Sequence, residues 1–252
     1  KKLFDEYDLP TSTWRPVDSS QDAVVAYTAL GSQVVFKKRR GGYDGYGTFV
    51  VRDDEALGDF ASKNLAKGQS GSFIAEKWIR FKRELAIIAA RDQKGRVFFY
   101  PFVESKQQNS RCLWVQGPLK ETSSMIEMKK LLAKFLNAID YVGAMGIEFF
   151  ETKDGLIINE IAPRVHNTGH YTMDAFGLSQ FALHLRAVAG FPIIESKNLS
   201  SLAPRAKGFA MWNLLGTGDK KPTPWQAKPS ETHLHWYGKH ESRSGRKMGH
   251  VN

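Results

Sequence analysis

The sequence predicts an α+β chain, organised as a small unit over residues 1–79 and a larger one over residues 80–252. Three observations carry this expectation. Short apolar runs flank the turn signals Asp92-Gln93-Lys94-Gly95 and Lys153-Asp154-Gly155, the pattern of β-hairpins. Ser123 to Val142 keeps a 3.6-residue period through Met128, Leu131, Leu132, Phe135, Leu136 and Ile139, the pattern of a long helix. The glycine-rich run Gly41 to Gly47 joins two strand-like segments, not a strand to a helix.

In chain order, Leu3 to Asp8 reads as the end of a helix stopped before Pro10, and Thr11 to Val17 as extended. Ser19 to Leu30 is a helix capped by Ser19 or Ser20, with Gly31 after its end. Gln33 to Lys38 and Thr48 to Arg52 are strands, Asp53 to Ala66 is helical in pattern, and Ser72 to Trp78 returns as a strand. Glu84 to Ala90 and Val97 to Val103 form a hairpin, while residues 104–122 are polar and read as irregular. A helix is expected around Ser179 to Ala189, an apolar segment ends at Leu214-Leu215-Gly216, and His233 to Tyr237 reads as a late strand. Thr217 to Ser230, with Pro222, Pro224 and Pro229, is expected to be a surface loop.

With 252 residues, 42% of them hydrophobic and 25% charged, the chain can bury a full core. No apolar run approaches membrane-spanning length, and Lys1-Lys2-Leu3-Phe4 is no signal peptide. A single cysteine, Cys112, excludes an intrachain disulfide framework and fits a reducing, cytoplasmic setting. The formal net charge of +10 suits a nucleic-acid binder or a site for small phosphorylated anions. Aromatic and basic residues do not interleave on one predicted sheet, which counts against RNA. No nucleic-acid or membrane partner is expected.

The densest chemistry lies between Glu148 and Thr172. If the Lys153-Asp154-Gly155 turn is a three-residue loop with Gly155 left-handed, residue 152 pairs with 156 and Glu148 lies opposite Glu160. Two facing carboxylates repel, and a hard divalent cation such as Mg2+, itself held by nucleotide phosphates, would compensate them. Two exposed glutamates on a solvated hairpin are the plain alternative, and a two-residue turn would put the pair on opposite faces. Arg164, His166, Asn167 and His170, crowded around Pro163 and Gly169, make an unusual composition for a plain loop. The glycine-rich loop does not feed a helix, which argues against Rossmann and Walker A motifs. A strand–loop–strand can instead bring backbone N–H groups of residues such as Gly42 and Gly45 to phosphates, with Lys37 adding positive charge. Ile74 to Ile79 is an extended segment able to present backbone groups to a purine edge, with Glu84 following it.

Together these elements resemble the ATP-grasp superfamily, and within it the N5-carboxyaminoimidazole ribonucleotide synthetases. The residues that carry the resemblance are Lys37 with Gly41-Gly42-Tyr43-Asp44-Gly45, the run Asn159 to Thr172, Ser179 to Arg186, and His235 to Lys239 through Gly245 to His250. The resemblance implies an ATP-grasp fold, with a small lid subdomain and a larger mixed or antiparallel sheet. It implies ATP and Mg2+ as cofactors, bicarbonate and 5-aminoimidazole ribonucleotide as substrates, and a homodimer. Lys37, Glu76, Lys77, Ile79 and Glu84 would bind ATP. Glu148 and Glu160 would hold Mg2+ beside Asn159, and Arg164, His166 and Asn167 would form the carboxyphosphate pocket. Lys239 and Arg246 would hold the ribonucleotide phosphate, and Tyr43 and Asp44 would face the aminoimidazole. His170, His184, His233 and His235 are expected to be buried and hydrogen-bonded. The chain departs from the family at Tyr46, where a cation is usual, and at Gln107, where a histidine is usual. The family also carries a nucleotide-fold domain preceding the region matched by this chain, and further residues following it. A degenerate ATP-grasp domain that binds nucleotide without turnover is the rival expectation.

Overall fold

A computed structural model describes residues 1–31, 33–42, 46–65, 73–193, 200–218 and 232–252. The chain divides into two compact units, Lys1–Arg80 and Phe81–Asn252.

The first unit contains α1 (Lys2–Glu6), β1 (Trp14–Val17), α2 (Ser20–Leu30), β2 (Val34–Lys38), β3 (Thr48–Val51), α3 (Asp54–Asn64) and β4 (Phe73–Lys77). Its sheet runs β1-β4-β2-β3 with every pairing antiparallel. The helix starts follow capping chemistry: Ser19 Oγ accepts from Asp22 N at 3.1 Å, and an Asp53 carboxylate oxygen accepts from Ala56 N at 2.8 Å. Helix α2 ends before Gly31, whose φ of +88° an L side chain would resist. Strand alternation then divides the residues. Phe36 and Ala75 enter a core shared with Ala26, Leu30, Leu57, Phe60 and Phe73, in which Phe60 stacks on Phe36 at 4.2 Å. Lys37 and Glu76, each one step further along its strand, fall on the opposite face.

The second unit contains β5 (Arg83–Arg91), β6 (Val97–Phe99), β7 (Val103–Gln108), β8 (Arg111–Gly117), α4 (Ser123–Ala138), β9 (Gly143–Thr152), β10 (Gly155–Ala162), α5 (Thr172–Ala175), α6 (Gln180–Val188), β11 (Phe209–Leu215), β12 (Leu234–Trp236) and β13 (Lys247–Val251). Its nine strands run β10-β9-β5-β7-β8-β11-β13-β12, with β6 also paired to β5. Ala86, Ile88 and Ala90 of β5 pack with Leu183 and Ala187 of α6. On the other face Phe149 meets Phe102, and the Lys129 ammonium of α4 lies over the Phe102 ring. Because both faces are covered, β5 is almost wholly buried and reads Leu-Ala-Ile-Ile-Ala-Ala without polar alternation.

Several expectations need correction. Residues 104–122 are not irregular: they carry most of β7 and all of β8, paired antiparallel. Their polar sequence is tolerated because alternate residues such as Lys106, Gln108 and Gln116 are exposed. The strand expected from Val97 to Val103 is broken at Tyr100-Pro101, where proline offers no N–H to the ladder. Its two halves, β6 and β7, both pair with β5. Helix α4 ends at Ala138 and not at Val142, as the chain turns through Asp140 at φ +48°. Strand β13 was not foreseen. It runs between β11 and β12, and Gly249 lets β12 approach closely: a Cβ there would sit 2.6 Å from the His235 carbonyl. Most of Thr217 to Ser230 lies outside the described residues.

The hairpin turn is also tighter than expected. Thr152 pairs with Gly155, so the loop has two residues and not three. The Thr152 hydroxyl accepts from Asp154 N at 3.1 Å and donates to Gly155 O at 2.9 Å, which closes the turn one residue early. This register alone would turn Glu160 away from Glu148.

Candidate active site

The phase is restored inside β10. Pairing runs regularly to Phe149↔Ile158, then shifts so that Glu160 faces Glu148 and Ile161 faces Ile147. Asn159 is the extra residue, a β-bulge. Without it Glu160 would share the face of the buried Leu156 and Ile158, where an unpaired carboxylate is costly. With it, Glu148 and Glu160 share a face, and the registers Ala86↔Glu148 and Glu84↔Phe150 place Glu84 on that face too.

His166 completes the cluster. Its Nδ1 lies 3.8 Å from a Glu148 oxygen and its Nε2 3.9 Å from a Glu160 oxygen. One ligand atom from each of Glu148, Glu160 and His166 lies within 4.8 Å of the others. Glu148 is mostly buried and Glu160 more than half exposed, so the group opens to solvent on one side. Two carboxylates suit a hard ion such as Mg2+, and the imidazole is a weaker donor to it.

Neutral amides fix this arrangement, and two of them, Gln180 and Asn213, are not among the site residues expected from the sequence. The Gln180 side chain, fully buried, accepts from His166 N at 2.9 Å and donates to His166 O at 2.7 Å. The His166 Nδ1 meets the Thr168 hydroxyl at 2.8 Å. Gly146 lies beneath the ring: a Cβ there would sit 2.3 Å from His166 Cβ. Asn167 and Asn213 exchange paired amide hydrogen bonds of 2.9 and 2.7 Å, and Asn213 also donates to Cys112 O. The only available signals were a glutamine directly after the Ser179 cap and a lone asparagine in the apolar β11. Gln107 donates to Glu148 Oε1 at 3.4 Å, so the residue that departs from the family pattern touches the carboxylate pair.

The other expected residues fall as follows. Asn159 is half-buried in the bulge, and Arg164 is exposed, donating to Val165 O at 2.9 Å. Burial pushes the Glu84 carboxyl up to about 7, partly offset by Lys106. In the first unit, Glu76 is buried and accepts from Ser12 Oγ at 2.8 Å, with the Lys37 and Lys1 ammoniums each 3.3 Å away. Burial alone would raise its pKa, but Lys37, Lys1 and the Ser12 hydrogen bond outweigh it and hold the carboxyl below its ordinary value. Lys77 is exposed, Ile79 half-buried and Gly42 exposed. Tyr43, Asp44 and Gly45 lie outside the described residues. Tyr46 is exposed beneath the Lys38 ammonium at 5.2 Å. In the second unit, Lys239 donates to Lys247 O at 2.6 Å and Arg246 to Glu241 O at 3.2 Å, in the loop between β12 and β13.

Residues 2–181 match the ATP-grasp domain family. The chain belongs to that family. Residues 210–252 match the phosphoribosylaminoimidazole carboxylase C-terminal domain. Within the ATP-grasp family the chain belongs with the N5-carboxyaminoimidazole ribonucleotide synthases. It is 38% identical to the enzyme of that name from Synechococcus elongatus, covering 100% of this chain and 62% of the relative. Against the Brucella melitensis enzyme the identity is again 38%, over 100% of this chain and 67% of the relative. The Aspergillus clavatus N5-carboxyaminoimidazole synthase, solved with ADP and 5-aminoimidazole ribonucleotide, superposes with a TM-score of 0.80 at 29% identity, over 99% of this chain and 65% of that one. The chain thus spans under two thirds of the first of these relatives. No helix among the described residues is long and apolar enough to cross a membrane.

Gln180 also links His166 to a cluster of histidines. His170 meets Gln180 Nε2 at 3.0 Å, His250 meets Tyr237 OH at 2.7 Å, and His235 meets Asp174 at 2.7 Å, with the His235 and His250 rings stacked at 4.5 Å. His184 accepts from Ala144 N at 3.0 Å, whereas His233 is exposed, contrary to expectation. Burial, with smaller contributions from nearby cations and imidazoles, holds His170 down at about 4 and His250 at about 3.

Two predictions follow from these contacts. Gly146→Ala should displace His166, costing about 1–3 kcal/mol of stability by overpacking; denaturant midpoints and the imidazole NMR signals report it, and unchanged signals would contradict the packing. The second concerns pH. Unfolded histidines titrate near 6.5, above the folded values, so as pH falls the unfolded chain takes up protons first. The stability that His170 and His250 contribute is then complete above about pH 6.5 and lost progressively as pH falls toward about 4. Between about pH 6.5 and 4.5 denaturation midpoints should fall less in His170→Gln than in the unsubstituted protein, while Glu84, held at about 7, contributes with the opposite sign in both; identical pH profiles for the two proteins contradict the buried neutral state.

Proposed function

We propose that the protein carboxylates 5-aminoimidazole ribonucleotide with bicarbonate, consuming ATP through carboxyphosphate and giving N5-carboxyaminoimidazole ribonucleotide, ADP and phosphate. The observation that supports this most is the facing of Glu148 and Glu160 beneath His166, next to a polar loop suited to a small anion. The named ligands of the Aspergillus clavatus relative, ADP and 5-aminoimidazole ribonucleotide, supply the substrate class. A cytoplasmic homodimer is part of the same reading.

Each residue has a task in this reaction. Glu148 and Glu160 would hold Mg2+ with Asn159 beside them, and the ion when bound would neutralise charge on the nucleotide phosphates. Lys37 in the first unit is a candidate phosphate contact, and Glu76 sets its position through their ion pair. Lys77 and Ile79 are candidate backbone contacts to the purine, and Glu84 in the second unit is a candidate acceptor for ribose hydroxyls. Gly42 and Gly45 are candidate contacts of the glycine-rich loop. Arg164 offers one cation, and His166 and Asn167 neutral groups, to bicarbonate and the carboxyphosphate formed from it. The amide clamps on His166 and Asn167 keep those groups oriented without adding charge. Lys239 and Arg246 are candidates for the ribonucleotide phosphate, with Tyr43 and Asp44 toward the aminoimidazole.

A second reading, a nucleotide-binding domain without turnover, draws on Tyr46 and on Gln107 at the carboxylate pair. Assays of the full-length protein separate the two. Mg2+-dependent ATP hydrolysis should rise with bicarbonate, and Arg164→Ala should lower that stimulation by about a hundredfold while leaving Mg-ATP binding within a few-fold. A folded sample that binds no Mg-ATP contradicts both readings. Binding without bicarbonate-dependent turnover supports the second.

A further inference from the structure

We infer that Lys1 is a positioning residue for Lys37: it stays on Glu76 as a standing counter-charge, so that the Lys37 ammonium can turn from that carboxylate to a nucleotide phosphate. The inference deepens the proposed ATP-dependent reaction and rests on its assignment of Lys37 to the phosphates.

Glu76 faces more positive charge than one carboxylate needs. The Lys1 and Lys37 ammoniums both lie 3.3 Å from the same oxygen, Oε2, which also accepts from Ser12 Oγ at 2.8 Å. Strand pairing explains how these groups meet. Strand β4 lies between β1 and β2, with Glu76 opposite Trp14 on one side and Val35 on the other. Lys37 stands two residues beyond Val35, and Ser12 two residues before Trp14, so all three side chains share one face.

The two ammoniums are not equivalent. The Lys1 side chain is 7% exposed and that of Lys37 26%, against 6% for Glu76. Lys1 Nζ also donates to the hydroxyls of Thr11 and Ser12 and lies 5.8 Å from the centre of the Phe4 ring. The Lys1 carbonyl accepts from Phe4 N and Asp5 N at 2.8 and 3.0 Å. Backbone, ring and hydroxyls thus keep Lys1 in place, while the Lys37 stem is flexible and partly in solvent. Burial draws the Lys1 ammonium below its ordinary value, and Glu76 opposes that shift. A buried carboxylate that loses its only cation is strongly destabilised. If Lys37 were that only cation, its engagement with a phosphate would carry this cost. With Lys1 and Ser12 remaining on Oε2, Glu76 stays compensated and Lys37 exchanges one oxyanion for another.

The test measures Mg-ATP affinity of the full-length protein by calorimetry, in the absence of bicarbonate and acceptor. Lys1→Gln should weaken binding by about 10- to 100-fold, the range of a hydrogen bond to a charged group, because Glu76 then retains Lys37. Lys1→Arg, which keeps the charge, should recover most of the loss. In a Glu76→Gln background no carboxylate holds Lys37 there, and Lys1→Gln should change affinity by no more than about twofold. Unchanged affinity in Lys1→Gln, or equal losses with and without Glu76, overturns the inference and leaves Lys1 a packing residue. Lys1→Met, which keeps the stem, repeats the comparison if Lys1→Gln does not fold. Lys37→Met distinguishes this failure from that of the underlying reading. If Lys37→Met binds Mg-ATP as tightly as the unsubstituted protein, or if that protein binds none, the phosphate assignment fails and the inference falls with it. A loss in Lys37→Met with none in Lys1→Gln overturns the inference alone.

Discussion

A single surplus residue in β10 determines whether the carboxylates can act together. The Thr152 hydroxyl closes the hairpin after two loop residues, which by strict alternation would aim Glu160 into the apolar layer with Leu156 and Ile158. The bulge at Asn159 absorbs one residue and returns Glu160 to the face of Glu148. Bulges next to active sites commonly re-aim side chains in this way. Glu84 shares that face through the β5–β9 pairing, and Glu160 joins it only through the shift.

Around this charged centre the protein uses neutral groups. Gln180 holds the His166 backbone from both sides, Asn213 mirrors Asn167, and Gly146 and Gly169 leave room where a methyl would collide with His166, Ile88 or Gln180. Buried amides that satisfy one another set orientation at lower desolvation cost than ion pairs. They also leave the local charge balance to ligands. In the first unit, by contrast, Glu76 is held ionised by Lys37, Lys1 and Ser12, a buried network that keeps the Lys37 ammonium near one place on its sheet face.

Much of this was legible in the sequence. The period of α4 and the capping residue Ser19 announced their helices, and the motif after Asn159 announced a site. The facing of Glu148 and Glu160 was foreseen through the wrong turn: a three-residue loop was expected, and a two-residue loop plus a bulge occurs. Thr152 decided the turn through a hydroxyl contact that no alternation pattern reports. Strands β7 and β8 were missed because polar side chains on their exposed positions mask a ladder completed by distant partners. Asn213 and Gln180 were missed for a related reason: their partners lie 46 and 14 residues away in the chain.

The central claim is that Glu148 and Glu160 serve one ion. A double-mutant cycle of Glu148→Gln and Glu160→Gln, read as Mg2+-dependent ATP affinity by calorimetry, tests it most directly. If both carboxylates hold the same Mg2+, each single change removes most of the Mg2+-dependent affinity and the double variant loses little more. Additive losses, or a single variant that keeps wild-type affinity, would contradict the account.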